Sequence, residues 1–239
     1  MMQMKISAKN LGALSGKDFC ERCFWISTHE KLPYQIFPGI FSSIDIYTKY
    51  IVESYFDKKG ELPVWLSNIG HVTKIFKNTK ELLNTKASNN QKFSVDYKNV
   101  TLTGIPDAIF ESDNKKIIII DYKTARYTEG QDSMMPIYNT QLNAYAYITE
   151  KLNLGVIEKL YLIYFEPPES KNFARIADKY TTKQGFEMPF VPKIHEIKKD
   201  TRTIEKLMDK AYEIYVKTIP QMAKNCKNCT NLDNICNRI

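Results

Sequence analysis

The sequence lacks long apolar runs, low-complexity segments and internal repeats. No stretch approaches the roughly 18 consecutive apolar residues that a membrane-spanning helix requires. Residues 1–19 carry lysines and serines throughout and have no apolar core of signal-peptide length. We therefore expect a soluble, cytoplasmic protein, and a chain of 239 residues is long enough for one large domain with a buried core.

Cysteine is absent from the whole middle of the chain. Cys20 and Cys23 lie near the start, and Cys226, Cys229 and Cys236 lie near the end. A reducing compartment favours metal binding over disulfides, although disulfides remain an alternative. Thiolates suit zinc or an iron-sulfur cluster, and spacing alone does not choose between the two.

The excess of positive charge is small. Lysine and arginine number 34 against 27 acidic residues, for a net charge of +7. Basic residues nevertheless gather between 193 and 210, where Lys198, Lys199 and Arg202 are candidates for binding a phosphate backbone. A solvated helix face explains the same cluster equally well.

A pair of charged residues ends the most apolar segment of the chain. Ile117 to Ile120 is an unbroken β-branched run, which predicts a strand buried on both faces. Because side chains alternate along a strand, Asp121 and Lys123 point to one face and Tyr122 points to the other. Asp121 and Lys123 are therefore expected to share a site.

A second carboxylate lies fourteen residues before Asp121. Asp107 lies in the segment 105–110, whose alternation predicts a half-buried strand, and the polar residues 112–115 predict a hairpin turn. Two carboxylates brought together repel each other unless a cation lies between them, and oxygen ligands suit Mg²⁺ or Mn²⁺. Lys123 beside such an ion would orient a water or stabilise charge on a phosphate.

These residues resemble the signature of the PD-(D/E)XK nucleases. Pro106-Asp107 and Asp121-Tyr122-Lys123 match its two halves, and Gln141 with Tyr145 is similar to the Q-x3-Y helix of the RecB branch. A lone Asp-x-Lys is usually a solvated strand end, but three elements in the right order are more specific. The resemblance implies an α/β (α+β) fold of the restriction-endonuclease type, with a central mixed sheet flanked by helices. It also implies that Asp107, Asp121 and the Tyr122 carbonyl bind Mg²⁺ or Mn²⁺ and that Lys123, Gln141 and Tyr145 act in catalysis, the last two contacting the nucleic acid.

A histidine upstream of the first aspartate often adds a metal ligand in this family. His71 follows Gly70 and lies thirty-six residues before Asp107, so the resemblance makes it a candidate ligand. The acidic residue often found one helical turn later is replaced by Ile75. A surface histidine is the simpler interpretation.

The cysteines extend the resemblance to iron-sulfur nucleases such as CRISPR-associated protein four and AddB. In those proteins one N-terminal and three C-terminal cysteines bracket the nuclease core. The resemblance implies that Cys20, Cys226, Cys229 and Cys236 hold a [4Fe-4S] cluster, with Zn²⁺ as the alternative. Cys23 is then a spare thiol or a small buried hydrophobe.

The elements predicted along the chain form one domain with three parts. The first is a helical N-terminal region (1–91) with helices at Phe41–Phe56 and Val72–Leu83. The second is a catalytic core (92–168) with strands around Phe93–Tyr97, Val100–Gly104 and Lys159–Phe165. The third is a C-terminal region (169–239), in which the helix Thr201–Thr218 leads to a cysteine loop that closes on Cys20.

The resemblance implies a metal-dependent DNA nuclease, with exonuclease or flap-type cleavage of single-stranded DNA. A protein partner in a CRISPR adaptation or repair complex is possible on the same grounds. Two alternatives stay open: a catalytically silent relative that binds DNA or a partner protein, and a zinc-stabilised structural module.

Overall fold

The computed structural model describes residues 3–30, 38–86, 92–125, 127, 133–168 and 174–237. Its helices are α1 Ala8–Ala13, α2 Glu21–His29, α3 Gly39–Lys59, α4 Thr79–Lys86, α5 Met135–Lys151, α6 Ile204–Val216 and α7 Lys227–Cys236, with 3-10 turns at Val64–Ile69, Ala174–Tyr180 and Thr201–Thr203. Among the residues that the structure describes, no helix is long and apolar enough to cross a membrane.

Ten strands form three sheets within the described residues. The strands are β1 Met4–Ser7, β2 Val72–Phe76, β3 Ser94–Tyr97, β4 Val100–Thr103, β5 Ala108–Ser112, β6 Ile117–Lys123, β7 Ile157–Glu166, β8 Thr181–Thr182, β9 Gly185–Phe186 and β10 Val191–Ile197. The central sheet has the order β10-β7-β6-β5-β2. Strands β6 and β7 are parallel, while the other three pairs of neighbouring strands in this sheet are antiparallel. The predicted mixed sheet is therefore confirmed.

The isoleucines of β6 explain why helices cover both faces of the central sheet. Ile117 and Ile119 pack in the apolar cluster that contains the inner face of α5, and Ile118 and Ile120 pack in a second cluster that contains Val52 of α3. All four isoleucines are at most 2% exposed. The sheet therefore lies between α5 and α3, as expected for a strand that is apolar on both sides.

A smaller sheet of order β1-β4-β3 packs beside the first. β3 and β4 form a hairpin whose two-residue turn includes Lys98 at φ 51°, which confirms the turn predicted at Lys98 and Asn99. β1 pairs with β4 in parallel. β1 and β2 are therefore strands within a region, residues 1–91, that the sequence predicted to be largely helical.

The helix predicted at Val72–Leu83 is wrong. Its first half is strand β2, which pairs antiparallel with β5, with Val72 opposite Ser112, and only the second half becomes helix α4. A short apolar run fits either period, and the β-branched residues Val72, Thr73 and Ile75 favour the strand. The helix predicted at Phe41–Phe56 is confirmed and extends over Gly39–Lys59 as α3.

Two further expectations need correction, and two are confirmed. The strand predicted over residues 105–110 begins only at Ala108, and Ile105 is 76% exposed. The predicted cysteine loop is mostly helix α7. The hairpin turn at 112–115 is confirmed, since the Ser112 N–H donates to the Lys116 carbonyl, and α6 confirms the late helix. The boundaries proposed near 91 and 168 adjoin segments outside the described residues.

Candidate active site and thiol group

A backbone hydrogen bond joins the two halves of the candidate site. Asp107 lies just before β5, and its Oδ2 accepts a hydrogen bond of 2.9 Å from the Tyr122 N–H on β6. The register pairs Ala108 with Ile120 in antiparallel strands. Asp107, one residue before Ala108, therefore lies opposite Asp121, one residue after Ile120. The hairpin therefore places Asp107 beside Asp121.

Asp121 is a buried carboxylate, only 3% exposed. Its Oδ1 accepts a hydrogen bond of 3.1 Å from Gln141 Nε2, and its Oδ2 forms an ion pair with Lys123 Nζ. Burial raises the pKa of Asp121, the charge of Lys123 lowers it and the charge of Asp107 raises it, with a net pKa of about 6. Two neighbouring carboxylates that disfavour each other's ionised form create a site that a cation stabilises.

Gln141 and Tyr145 lie one turn apart on α5, as the sequence predicted. Gln141 Nε2 donates both to Asp121 and, over 2.8 Å, to the Tyr145 hydroxyl oxygen. The two residues are 5% and 4% exposed. Burial, and next the charge of Asp121, raise the pKa of Tyr145. The pair therefore fixes the orientation of Asp121, and it presents little surface of its own to a ligand.

Gly104 allows the chain that leads to Asp107 to pack directly on Tyr145. A Cβ added at Gly104 would lie 2.6 Å from two carbons of the Tyr145 ring. Real side chains do not tolerate such an approach, so only glycine fits this position. The loop before Asp107 and the helix that orients Asp121 are thereby in contact.

Lys49 and Asp45 on α3 belong to the site, although the sequence analysis did not identify them. Lys49 Nζ lies 2.9 Å from Asp107 Oδ1 and 3.0 Å from Asp45 Oδ2. Burial lowers the pKa of Lys49, but Asp107 and Asp45 raise it above its ordinary value. The signal in the sequence is the spacing of Asp45, Lys49 and Glu53, polar residues at every fourth position of an apolar helix.

Lys123 connects the buried carboxylate to solvent. Its side chain is 23% exposed, against 4% for the side chain of Asp121. Its Nζ also lies 4.9 Å from the centre of the Tyr138 ring, a distance at which a cation and an aromatic face attract. Each carboxylate of the pair thus has its own ammonium partner.

Tyr122 contributes only its backbone to this side of the sheet. Its ring packs edge-on against Phe165 at 5.5 Å in the cluster on the α3 side, which confirms the predicted alternation. Its backbone N–H donates a hydrogen bond to Asp107. The assignment of its carbonyl as a metal ligand stays a prediction.

His71 lies at the far end of the sheet from the carboxylates. It is exposed and directly precedes β2, in which Val72 pairs with Ser112 at the end of β5. Asp107 lies before the opposite end of β5, and five residues of extended chain span roughly 15 Å. This register argues against the expectation that His71 is a ligand beside Asp107, and we leave His71 out of the candidate site.

Four thiols converge where the two ends of the described chain meet. The Sγ atoms of Cys20, Cys23, Cys226 and Cys229 all lie within 4.8 Å of one another, a group that could hold a metal ion. All five cysteines are free, and Cys236 is exposed and outside the group. The ligand set implied by the resemblance is therefore corrected: Cys23 takes the place of Cys236.

The electrostatics of Cys20 differ from those of an ordinary buried thiol. Burial raises its pKa, but the N–H groups of Ala223 and Cys23 lower it, and the net result is a pKa of about 7. The Ala223 N–H lies 3.3 Å from its Sγ. Such a thiol is readily converted to the thiolate that metals bind.

The candidate nucleic-acid-binding residues are largely neutralised by neighbouring carboxylates. Lys199 forms an ion pair with Glu150. Arg202 donates from Nε and Nη2 to the two oxygens of Asp200 at 2.8 and 2.6 Å. Lys198 is exposed. The positive patch expected from the sequence is therefore weaker than its composition indicates.

Comparison with known proteins gives a family for most of the chain. A family model described as the PD-(D/E)XK nuclease superfamily matches residues 53–237, a range that contains both carboxylates, Lys123 and the C-terminal cysteines. No curated protein matches the chain. A solved structure described as "Crystal structure of SSO0001" is similar over 90% of this chain and 77% of its own, at 14% identity and a TM-score of 0.44.

The contact of Gly104 with Tyr145 predicts that Gly104→Ala destabilises the protein. We expect a loss of about 1–3 kcal/mol in the free energy of unfolding, because the new methyl group must displace a buried ring. Denaturant titration of the variant and of Gly39→Ala, whose Cβ would meet nothing within 4 Å, measures the effect. Equal stabilities of the two variants would show that the ring moves aside without cost.

Proposed function

Because the chain belongs to the PD-(D/E)XK nuclease superfamily, we propose that it is a metal-dependent deoxyribonuclease whose reacting site is formed by Asp107, Asp121 and Lys123. One observation carries the proposal: the hydrogen bond from the Tyr122 N–H to Asp107 holds one carboxylate beside another that is buried. Adjacent carboxylates, one of them with a raised pKa and each with an ammonium partner, are typical of functional sites.

The donor set of the site fits Mg²⁺ or Mn²⁺. Asp107 and Asp121 offer hard carboxylate oxygens, and the burial of Asp121 makes a neutralising cation favourable. A bound divalent ion supplies Lewis acidity toward phosphate oxygens and lowers the pKa of a coordinated water. We propose that Asp107 and Asp121 hold this ion.

The protein's own groups orient the reactants. Gln141 fixes the rotamer of Asp121 through Nε2, and the Tyr122 N–H fixes that of Asp107. Lys123 is the partly exposed cation beside Asp121, so its ammonium is placed to stabilise negative charge that develops on a phosphate. Tyr138 holds the ammonium from the other side through its ring.

We further propose that one divalent ion suffices, because Lys49 already supplies a second positive charge. Its ammonium bridges Asp45 and Asp107, the position that a second cation would need in order to share Asp107. The carboxylates at 45, 107 and 121 carry three negative charges, and Lys49, Lys123 and one divalent ion together carry four positive charges, so a second divalent ion would leave a larger excess of positive charge.

Single-stranded DNA is the substrate that we propose, cleaved at ends or flaps. The support is the Q-x3-Y pattern of Gln141 and Tyr145, by which the chain resembles the RecB branch of the superfamily. The near-neutral patch around Lys199 and Arg202 argues against binding driven by that surface alone. Substrate is then held mainly near the carboxylates.

Cleavage of end-labelled single-stranded DNA with Mn²⁺ tests the proposed activity. We expect Asp121→Asn and Lys123→Ala each to lower the rate about 100-fold or more, because each removes a group that acts on the reacting phosphate or on the ion. The matched controls are Asp113→Asn and Lys116→Ala, exposed residues of the same hairpin, which should cleave at the wild-type rate.

Circular dichroism confirms that the variants are folded. Wild-type rates in Asp121→Asn and Lys123→Ala would mean that the cleavage came from a contaminant. A folded wild-type protein that binds the DNA and does not cut it with either metal would instead favour the catalytically silent alternative.

The position of Lys49 predicts that Lys49→Met tightens binding of the divalent ion. The ammonium lies 2.9 Å from a carboxylate that the ion needs, so it competes for that negative charge. We expect the Mn²⁺ concentration for half-maximal binding, measured by the paramagnetic signal of free Mn²⁺, to fall several-fold. Lys58→Met, at an exposed position of the same helix, is the control. Weaker binding in Lys49→Met than in the control would refute the competition.

A further inference from the structure

We infer that Cys20, Cys23, Cys226 and Cys229 bind a single tetrahedral Zn²⁺ ion and not the [4Fe-4S] cluster that the family resemblance implies. Three of the Sγ–Sγ distances are 3.3 Å (Cys23 to Cys229), 3.4 Å (Cys23 to Cys226) and 3.7 Å (Cys20 to Cys229). This inference does not depend on the proposed nuclease activity.

The distances between the sulfur atoms distinguish a zinc ion from a [4Fe-4S] cluster. Zn–S bonds of about 2.3 Å in tetrahedral geometry place the sulfur atoms roughly 3.8 Å apart. In a [4Fe-4S] cluster the iron and sulfide core lies between the cysteines, so their sulfur atoms are roughly 6 Å apart. The four Sγ atoms here lie within 4.8 Å of one another. That space accommodates one ion and is too small for a four-iron core.

The local structure around the thiols repeats on the two sides of the site. Cys20 is the N-cap of α2 and Cys23 lies in its first turn, while Cys226 is the N-cap of α7 and Cys229 lies in its first turn. The N-terminal ends of α2 and α7 therefore meet at the sulfur atoms, and each helix supplies two thiols from its cap and first turn. Two C-x2-C pairs that converge in this way match the ligand pattern of structural zinc sites.

Cys236 is too distant to serve as a ligand. It ends α7, seven residues after Cys229, which is about 10 Å along a helix that rises 1.5 Å per residue. It is also exposed. Helix α7 thus separates Cys236 from Cys226 and Cys229, although the three cysteines are close in the sequence.

The contacts around the group indicate that the ion joins the two ends of the domain. Arg22 on α2 donates to both carboxylate oxygens of Asp233 on α7, at 2.9 and 2.5 Å. The Ala223 N–H donates to Cys20 Sγ. A surface cleft lined by Cys20, Cys23 and Cys226 gives an ion access to the thiols. Zn–S bonds from both pairs of cysteines would link α2 to α7, which otherwise have few contacts with each other.

Metal analysis of the intact protein tests this inference. The protein is expressed in iron-supplemented medium and purified without oxygen, so that a fragile cluster would survive. We expect one zinc per chain, little iron or sulfide, and a colourless protein. Cys23→Ser should lose most of the zinc and unfold at a temperature several degrees lower, whereas Cys236→Ser should match the wild type in both.

X-ray absorption of the wild-type protein at the zinc edge keeps the test valid if Cys23→Ser fails to fold. We expect four sulfur neighbours at about 2.3 Å and no metal neighbour. About four irons and four sulfides per chain with absorption near 400 nm would overturn the inference, as would a single iron in place of zinc. Loss of metal in Cys236→Ser but not in Cys23→Ser would also overturn it.

Discussion

The hydrogen bond between the Tyr122 N–H and Asp107 is the interaction on which the rest of the site depends. It ties the end of one strand to the start of its neighbour, so that a second carboxylate stays beside the buried Asp121. Lys49 holds the other oxygen of Asp107 at 2.9 Å. The apolar faces of β6 supply the rigidity, because both sides of that strand are covered by packed helices.

The two carboxylates are held from opposite sides of the sheet. Asp121 is held from the α5 side by Gln141, which Tyr145 fixes in turn, and Gly104 lets the preceding loop contact that tyrosine. Asp107 is approached from the α3 side by Lys49. The proposed ion site therefore lies between two helices that pack on opposite faces of one sheet.

The elements that could be predicted from the sequence are those with strong local patterns. The run Ile117–Ile120 gave a strand buried on both faces, and the spacing of Gln141 and Tyr145 gave one helical face; both are confirmed. Three features depended on contacts that no local pattern encodes. The short apolar segment at Val72 fitted a helix as well as a strand. Lys49 pairs with Asp107, which lies far away in the sequence, just before β5. The choice of Cys23 over Cys236 depends on α7 being helical.

The most direct test of the central claim is the position of Mn²⁺ in crystals of the protein soaked with that ion. The account predicts an anomalous difference peak about 2.2 Å from one carboxylate oxygen each of Asp107 and Asp121, and no such peak in crystals of Asp107→Asn. An ion bound at another site, or none between these two carboxylates at Mn²⁺ concentrations that support cleavage, would contradict it.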